Sequence, residues 1–258
     1  MKINLLAINV GNRRTQLGTF VDGQLVDSGA VDNNQIASFK PRISSAFEPL
    51  AEQQDAAVML ASVEPGVAGQ IADLVPQVLD REIVRVEKDV AIPIGRQLDS
   101  ETIVGDDRLL NAAAAFEVLK QACVVVDAGT AITVDFVDGT GTFHGGAIGP
   151  GASMMLAALH DRTAMLPQVE LLRPKEPVGH NTTEALRAGV YYGLRGMVRE
   201  LVEVYAEQAG AYPLVVATGG DAQLLFDCYE LVDRIVTDLT LLGMAATMRS
   251  VIRDPAET

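Results

Sequence analysis

Several residue types are scarce in this chain of 258 residues, and each scarcity excludes a class of protein. The chain has two cysteines and three histidines, which are scattered along the sequence with no spacing that suggests a disulfide framework or a zinc site. No apolar run approaches the roughly 20 residues that cross a bilayer, so we expect no membrane association. The 20 Lys and Arg residues are outnumbered by 34 Asp and Glu residues. The resulting formal charge of -14 argues against broad attraction to nucleic acid or anionic lipid.

Hydrophobic residues make up 48% of the chain, which is enough to form one large buried core or two smaller ones. The opening apolar run is short and is soon interrupted by Asn9 and Asn12, which predicts a first strand rather than a secretory signal. Cys123 and Cys228 lie in apolar surroundings, which favours reduced thiols. We therefore expect a compact cytoplasmic protein.

One local pattern occurs twice along the chain. An apolar strand runs into a glycine-containing turn, then a second strand, then an Asp-Gly turn. The strands with their glycine turns are Leu5–Asn12 and Val124–Thr130, and the Asp-Gly turns are Asp22-Gly23 and Asp138-Gly139. The recurrence predicts a duplicated domain. Because a glycine turn after a buried strand lets backbone N–H groups approach phosphate oxygens, two such turns facing across a cleft predict a nucleotide site.

Helices and further strands alternate after each set of hairpins. Helices are predicted over residues 65–79, 106–120, 154–159, 182–208, 221–226 and 237–251, and strands over 56–63, 82–86 and 213–217. This order predicts a mixed-sheet α/β fold with helices packed on the sheets. We place the domain boundary after residue 119, which gives domains 1–119 and 120–258.

Seven short motifs follow one another along the chain: residues 9–12 (NVGN), 105–108 (GDDR), 127–131 (DAGTA), 145–146 (GG), 163–167 (TAMLP), 179–182 (GHNT) and 218–220 (TGG). In their order and spacing they resemble the motifs of the type III pantothenate kinases, over essentially the whole chain. The resemblance implies the acetate and sugar kinase, Hsp70 and actin superfamily, with two ribonuclease-H-like domains in an actin-like duplicated fold. It also implies a homodimer that phosphorylates pantothenate with ATP, the first step of coenzyme A biosynthesis, using Mg²⁺ and K⁺ or NH4⁺.

The resemblance assigns the glycine turns to ATP and its ions. The residues implied to bind ATP are Asn9, Val10, Gly11, Asn12, Arg13, Arg14, Thr15 and Gln16 in the first half, and Thr130, Thr218, Gly219 and Gly220 in the second. Asp127 is expected to bind the monovalent cation, and Asn9 is a candidate Mg²⁺ ligand. Taken alone, each turn is also explained as an ordinary β-turn or strand-to-helix loop.

The sequence Gly105-Asp106-Asp107-Arg108 is the most specific motif. In the resembled family the carboxylate before the Arg accepts the proton of the pantothenate hydroxyl, which maps onto Asp107, while Gly105, Asp106, Arg108 and Thr182 contact pantothenate. A carboxylate takes that proton as phosphorus arrives, and Arg offers forked donors to an anionic substrate. Capping of the following helix is the competing explanation for the Asp, although it does not account for the whole set.

Two positions depart from the family pattern. Asn9 stands where members ordinarily carry Asp, and Leu98 stands about where many relatives carry Tyr near pantothenate. An amide oxygen ligates Mg²⁺ or orients its water but supplies no negative charge. A second hypothesis is therefore a catalytically weakened or inactive relative that binds ligand as a regulatory partner. Another sugar or acid kinase of the same superfamily is a third.

Three glycines lie at spacings of four and three along the predicted long helix. They are Gly189, Gly193 and Gly196. Small residues on one helix face permit close packing of a neighbouring element, either in the homodimer interface typical of the family or against the sheet of the same chain. The sequence leaves both alternatives open.

Overall fold

The computed structural model describes residues 2–253. Its strands are β1 (Leu5–Val10), β2 (Arg14–Val21), β3 (Gln24–Asp32), β4 (Ala57–Ser62), β5 (Ile83–Arg85), β6 (Gly95–Arg96), β7 (Cys123–Ala128), β8 (Ala131–Val137), β9 (Thr142–Pro150), β10 (Leu214–Thr218) and β11 (Arg234–Ile235). Its α-helices are α1 (Phe39–Phe47), α2 (Pro65–Leu79), α3 (Asp106–Leu119), α4 (Ala152–Asp161), α5 (Thr182–Ala209), α6 (Ala222–Phe226) and α7 (Leu239–Arg253). Every predicted helix and strand is present, with ends shifted by a few residues at most positions.

The strands form two sheets that share one strand order. The first sheet runs β3-β2-β1-β4-β5 and the second runs β11-β10-β7-β8-β9-β6. In each sheet three antiparallel strands are followed by two that add in parallel. Apart from β6 at the edge, the second sheet repeats the first, which confirms the predicted mixed-sheet α/β fold and its duplication. Asn9 and Asp127 therefore occupy matching positions, each the penultimate residue of its first strand.

Contacts divide the chain into two compact units. Among the described residues, the first unit contains 2–95, Asp99–Glu117 and 238–253, and the second contains Arg96–Leu98 and Val118–Thr237. These units differ from the predicted domain ranges mainly in the last helix, because α7 packs on β1 and β2 of the first sheet. The helix also contacts α3, where the Thr240 hydroxyl donates to the Asn111 side chain at 2.8 Å.

Each unit has its own apolar core. In the first, Leu6 and Ile8 of β1 pack with residues of α1 and α2 such as Phe39 and Ile71. In the second, strand residues such as Val126 pack against α5. β1 is buried along its whole length, as expected for a central strand of a sheet with helices packed on it. Among the described residues, no helix combines the length and the apolar character that a membrane span requires.

Candidate active site

The first predicted phosphate loop is a tight turn between β1 and β2. The Gly11 N–H donates to the Arg14 carbonyl at 3.0 Å, and a Cβ at Gly11 would lie 3.0 Å from that same oxygen. Within residues 2–253, the N–H groups of Asn12 and Arg13 have no acceptor, and neither Arg13 nor Arg14 is paired with a carboxylate. Both arginines are exposed. In a protein of strongly negative charge, this turn offers backbone donors and two guanidinium groups to an anion.

The end of β3 supports this turn through Asn33. Its backbone N–H donates to the Arg13 carbonyl at 2.9 Å, and its side-chain amide donates to the Gly11 carbonyl at 2.8 Å. Its side-chain oxygen accepts a hydrogen bond from the buried Thr15 hydroxyl at 2.9 Å. Sequence reasoning missed Asn33, because an Asn after a strand is typical of any loop. The internal repeat was the one signal for this position, because it aligns Asn33, the first residue after β3, with Gly151, the first residue after β9.

Asn9 lies at the base of the turn, directly opposite Gln16 in the β1–β2 pair. Directly opposed residues project to the same face of a sheet. Asn9 is only 7% exposed, and its side chain forms no hydrogen bond to a residue that the structure describes. Neither Asn9 amide atom is among the enclosed side-chain atoms that lack a partner, so the amide remains accessible to a ligand, such as a metal ion or its water. It supplies no negative charge.

Asp107 lies in the first turn of α3, close to the same strand end. A Cβ on Gly105 would be 2.7 Å from Asp107 Oδ1 and 3.2 Å from Val63 Cγ1, and the Val63 N–H donates to the Val10 carbonyl at 3.0 Å. Burial raises the pKa of Asp107 above its usual value, although the backbone N–H of Arg108, at 2.8 Å, and the charge of Arg108 act in the opposite direction. A raised pKa gives the carboxylate a greater affinity for a proton, as a general base requires.

The helix-start explanation for the two acidic residues also agrees with the structure. Asp106 and Asp107 are both in the first turn of α3, where a negative charge faces the positive end of the helix dipole. The Arg108 N–H donates to the Gly105 carbonyl at 3.1 Å, which closes the turn that leads into the helix. A stabilising role at the helix start does not prevent Asp107 from accepting a proton.

The turn between β7 and β8 in the second unit resembles the first turn. The Gly129 N–H donates to the Ala131 carbonyl at 2.9 Å, and the Gly151 N–H donates to the Thr130 carbonyl at 3.1 Å. Gly151 is the first residue after β9, as Asn33 is the first after β3. The duplication thus extends beyond the strands to the hydrogen bond that connects the third strand to the turn.

The Thr218–Gly220 segment lies against Asp127. Gly219 has a φ of +95°, and a Cβ there would be 2.4 Å from Asp127 Oδ1 and 2.5 Å from the Ala128 carbonyl oxygen. The Asp221 N–H donates to that carbonyl at 2.9 Å. The second unit therefore brings the predicted cation-binding carboxylate and the predicted adenosine-side turn together, beside the β7–β8 turn that carries Thr130.

Thr182 is the first residue of α5. Asn181 caps the helix by accepting from the Glu184 N–H at 3.0 Å, and the Glu184 carboxylate accepts from the His180 N–H at 2.9 Å. Thr182 is exposed, and within the described chain its side chain forms no hydrogen bond. Leu98 packs against Gly145, 3.3 Å from the position of an added Cβ. The contact of Thr182 with pantothenate stays a prediction.

The oxygen donors at these turns are single groups rather than a metal-binding cluster. Within residues 2–253 there is no group of three or more His, Cys, Asp or Glu side chains that could hold a metal ion. The Asn9 amide oxygen in the first unit and the Asp127 carboxylate in the second are separate oxygen donors, predicted from the sequence for Mg²⁺ and for the monovalent cation respectively.

The comparison with known protein families is decisive, since a model of the type III pantothenate kinase family matches residues 5–204. The chain belongs to this family. Among its curated relatives, the type III pantothenate kinase of Syntrophotalea carbinolica is 34% identical over 252 residues, covering 93% of this chain and 96% of the relative. The predicted family resemblance is confirmed.

Solved structures similar to this family member confirm the predicted fold. A conserved Baf family protein of Campylobacter jejuni has a TM-score of 0.58 at 18% identity and covers 97% of this chain and 98% of its own. MreB5 of Spiroplasma citri bound to AMPPNP has a TM-score of 0.52 at 10% identity, with coverage of 99% and 98%. At these identities the likeness establishes the actin-like duplicated fold alone.

Proposed function

We propose that this protein transfers the γ-phosphate of ATP to the primary hydroxyl of pantothenate. The products are ADP and 4'-phosphopantothenate, and the reaction opens coenzyme A biosynthesis. Family membership supports this activity, and the observation that carries its mechanism is the position of Asp107. That carboxylate has a raised pKa and lies in the first turn of α3, two residues after Gly105. Gly105 approaches Val63, whose N–H donates to Val10 at the end of β1, where the first glycine turn begins.

ATP is held, in this proposal, by the duplicated turns. Catalysis of phosphoryl transfer is mostly positioning and electrostatic stabilisation. The unpaired N–H groups of Asn12 and Arg13 and the guanidinium groups of Arg13 and Arg14 bind the β- and γ-phosphates. Thr130 provides a second phosphate contact, and the segment from Thr218 to Gly220 binds on the adenosine side.

Pantothenate is an anion, and the Arg108 guanidinium offers a forked pair of donors to the pantothenate carboxylate. Gly105 and Asp106 shape the approach to Asp107, and Thr182 adds a hydroxyl contact. Asp107 removes the proton from the primary hydroxyl as that oxygen attacks the γ-phosphorus. The proton thus moves onto a carboxylate whose pKa is already raised by burial.

Two kinds of ion complete the proposal. Mg²⁺ bound with ATP neutralises charge that develops on the phosphates. The Asn9 amide oxygen would coordinate this ion, either directly or through a water. Asp127 binds K⁺ or NH4⁺ beside the second glycine turn.

The exposed glycine face of α5 supports a homodimer. At Gly189, Gly193 and Gly196 a Cβ would meet no described atom within 4 Å, and all three residues are exposed. Each glycine in a helix interior costs about 1 kcal/mol relative to alanine, so retaining three calls for a compensating contact. A second copy of the chain provides it in this proposal. Both cysteines are free thiols, in agreement with a cytoplasmic enzyme.

Purified protein incubated with ATP, Mg²⁺, K⁺ and pantothenate is expected to release ADP and phosphopantothenate in equal amounts. Asp107→Asn is expected to lower kcat by about 10²- to 10⁴-fold, because it removes the general base, while ATP affinity is retained. Glu101→Gln, a change of equal size on an exposed residue of the preceding loop, is the matched control. Full turnover by Asp107→Asn would remove the residue from the base role.

Asn9 also supports the second candidate, a binding-only regulatory relative. Its buried amide stands where the family ordinarily supplies a carboxylate. In that case the protein binds ATP or pantothenate but forms no product even at high enzyme concentration. Asn9→Asp then tests the cause, since turnover gained by the variant identifies the amide as a catalytic handicap. If the unaltered protein is active, a loss of turnover in Asn9→Asp shows instead that the site has adapted to the amide.

A further inference from the structure

We infer that Asn33 is a positioning residue for ATP, which sets the direction in which the N–H of Asn12 points. This inference rests on the proposed function of the β1–β2 turn as a phosphate-binding loop. Asn33 does not itself touch the nucleotide in this account. It acts by holding the carbonyl groups of the turn.

The geometry of the peptide bond supplies the mechanism. The Gly11 carbonyl and the Asn12 N–H belong to one planar, trans peptide group, in which they point in opposite directions. The Asn33 side-chain amide donates to the Gly11 carbonyl at 2.8 Å. Fixing that carbonyl toward β3 therefore directs the Asn12 N–H to the other side of the turn, where no described residue accepts it.

Asn33 is held in the orientation that this role needs. Its side-chain oxygen accepts from the Thr15 hydroxyl at 2.9 Å, which leaves the amide nitrogen facing Gly11. Thr15 is fully buried, so its hydroxyl is a fixed reference point in β2. The Asn33 backbone N–H donates to the Arg13 carbonyl at 2.9 Å, so Asn33 secures both ends of the turn. An amide side chain suits this position because its nitrogen donates to one partner while its oxygen accepts from another.

The second unit provides independent support. There the residue after the third strand, Gly151, donates its backbone N–H to Thr130, as Asn33 does to Arg13. A Cβ on Gly151 would be 2.2 Å from the Gly129 carbonyl oxygen, so the backbone itself lies against the group that Asn33 reaches with its side chain. Both halves therefore place the residue after the third strand against the carbonyl that precedes the tip of the turn.

The test compares Asn33→Ala with Asn34→Ala in the full-length protein. Asn34 is the exposed neighbour, and its side chain donates to Asp32 rather than to the turn, at 3.0 Å. Loss of one hydrogen bond that orients the turn is expected to weaken ATP binding by roughly tenfold. The affinity for AMP, which lacks the β- and γ-phosphates, and the KM for pantothenate are expected to stay within about twofold. Asn34→Ala is expected to change none of these values.

A folded Asn33→Ala protein with unchanged ATP affinity would overturn the inference, and so would equal losses for ATP and AMP, which indicate a general structural effect. Should Asn33→Ala fail to fold, Asn33→Asp keeps the acceptor for Thr15 but lacks the donor to Gly11, with Asn34→Asp as the charge-matched control. In the unaltered protein the Asn12 amide NMR resonance is expected to shift on titration with AMPPNP, and an unmoved resonance refutes the role. Wild-type protein that binds no ATP would refute the proposed function instead.

Discussion

Replacement of Gly219 by alanine tests the site in the second unit, because the neighbouring glycine provides a matched control. At Gly219 an added Cβ would lie 2.4 Å from Asp127 Oδ1 and 2.5 Å from the Ala128 carbonyl oxygen. At Gly220 the same atom would meet no described atom within 4 Å. The two substitutions are chemically identical and one residue apart, so they differ only in backbone conformation and in the atoms that surround the added Cβ.

The cost of the Gly219 substitution has two sources. Ordinary Cβ contacts begin near 3.4 Å, so the segment after β10 must move by about 1 Å away from Asp127. The φ of +95° is also strained for alanine. Backbone strain of this kind costs on the order of 1–3 kcal/mol, and overpacking adds a similar amount. We expect the free energy of unfolding to fall by about 2–6 kcal/mol, against a change within about 1 kcal/mol for Gly220→Ala.

Urea unfolding of both variants gives the difference in stability, and titration with ATP gives the difference in affinity. The displaced segment carries the proposed adenosine contacts, so ATP affinity is expected to fall for Gly219→Ala and to persist for Gly220→Ala. Equal stabilities and affinities for the two variants would refute the reasoning. That result would mean that the turn moves freely, and that its close approach to Asp127 affects neither the free energy of unfolding nor the ATP affinity.

Three further predictions concern other parts of the chain. Burial raises the pKa of Asp107 above the usual 3.8 of an Asp side chain, and a general base must be ionised to accept a proton. We therefore expect kcat/KM to fall as the pH decreases, with the fall beginning above pH 3.8. A pH–rate profile that stays flat below pH 4 would contradict this expectation. Gly193→Leu on the exposed face of α5 is expected to convert a dimer to a monomer in light scattering, and an unchanged mass would exclude that face. Burial raises the pKa of Cys123 to about 12, so iodoacetamide at pH 8 is expected to label only the exposed Cys228, as mass spectrometry would show.

Much of the fold was predictable because its signals are local. The order of the residues alone predicts the two hairpin patterns and the longer helices. Helix α2, for example, begins where Pro65 follows Glu64, whose side chain accepts hydrogen bonds from the Gly66 and Val67 N–H groups. Helix α1 was not predicted, since it is short and carries Pro41 in its first turn. The packing of α7 on the first sheet was also beyond the local pattern, because it depends on contacts such as Gly243 against the Leu110 carbonyl.

The candidate site divides in the same way. Asp107 and the glycine turns belong to short motifs, so a family resemblance locates them. Asn33 and Gly151 act on backbone carbonyls far away in the sequence, and a backbone partner leaves no residue-type signature at the other end of the contact. The fit of Gly219 against Asp127 likewise follows from the parallel pairing of β10 with β7 rather than from either segment alone.

The place of α7 has a consequence for biosynthesis of the protein on the ribosome. The second unit, apart from three residues, is one uninterrupted stretch, whereas the first needs its last helix, which is translated after that stretch. Chains emerge N-terminal end first, at about 5–20 residues per second. The first sheet is therefore synthesised several seconds before α7, the helix that packs on it. During that interval the apolar surface near Gly18, which Leu241 later contacts, is accessible to chaperones and to self-association.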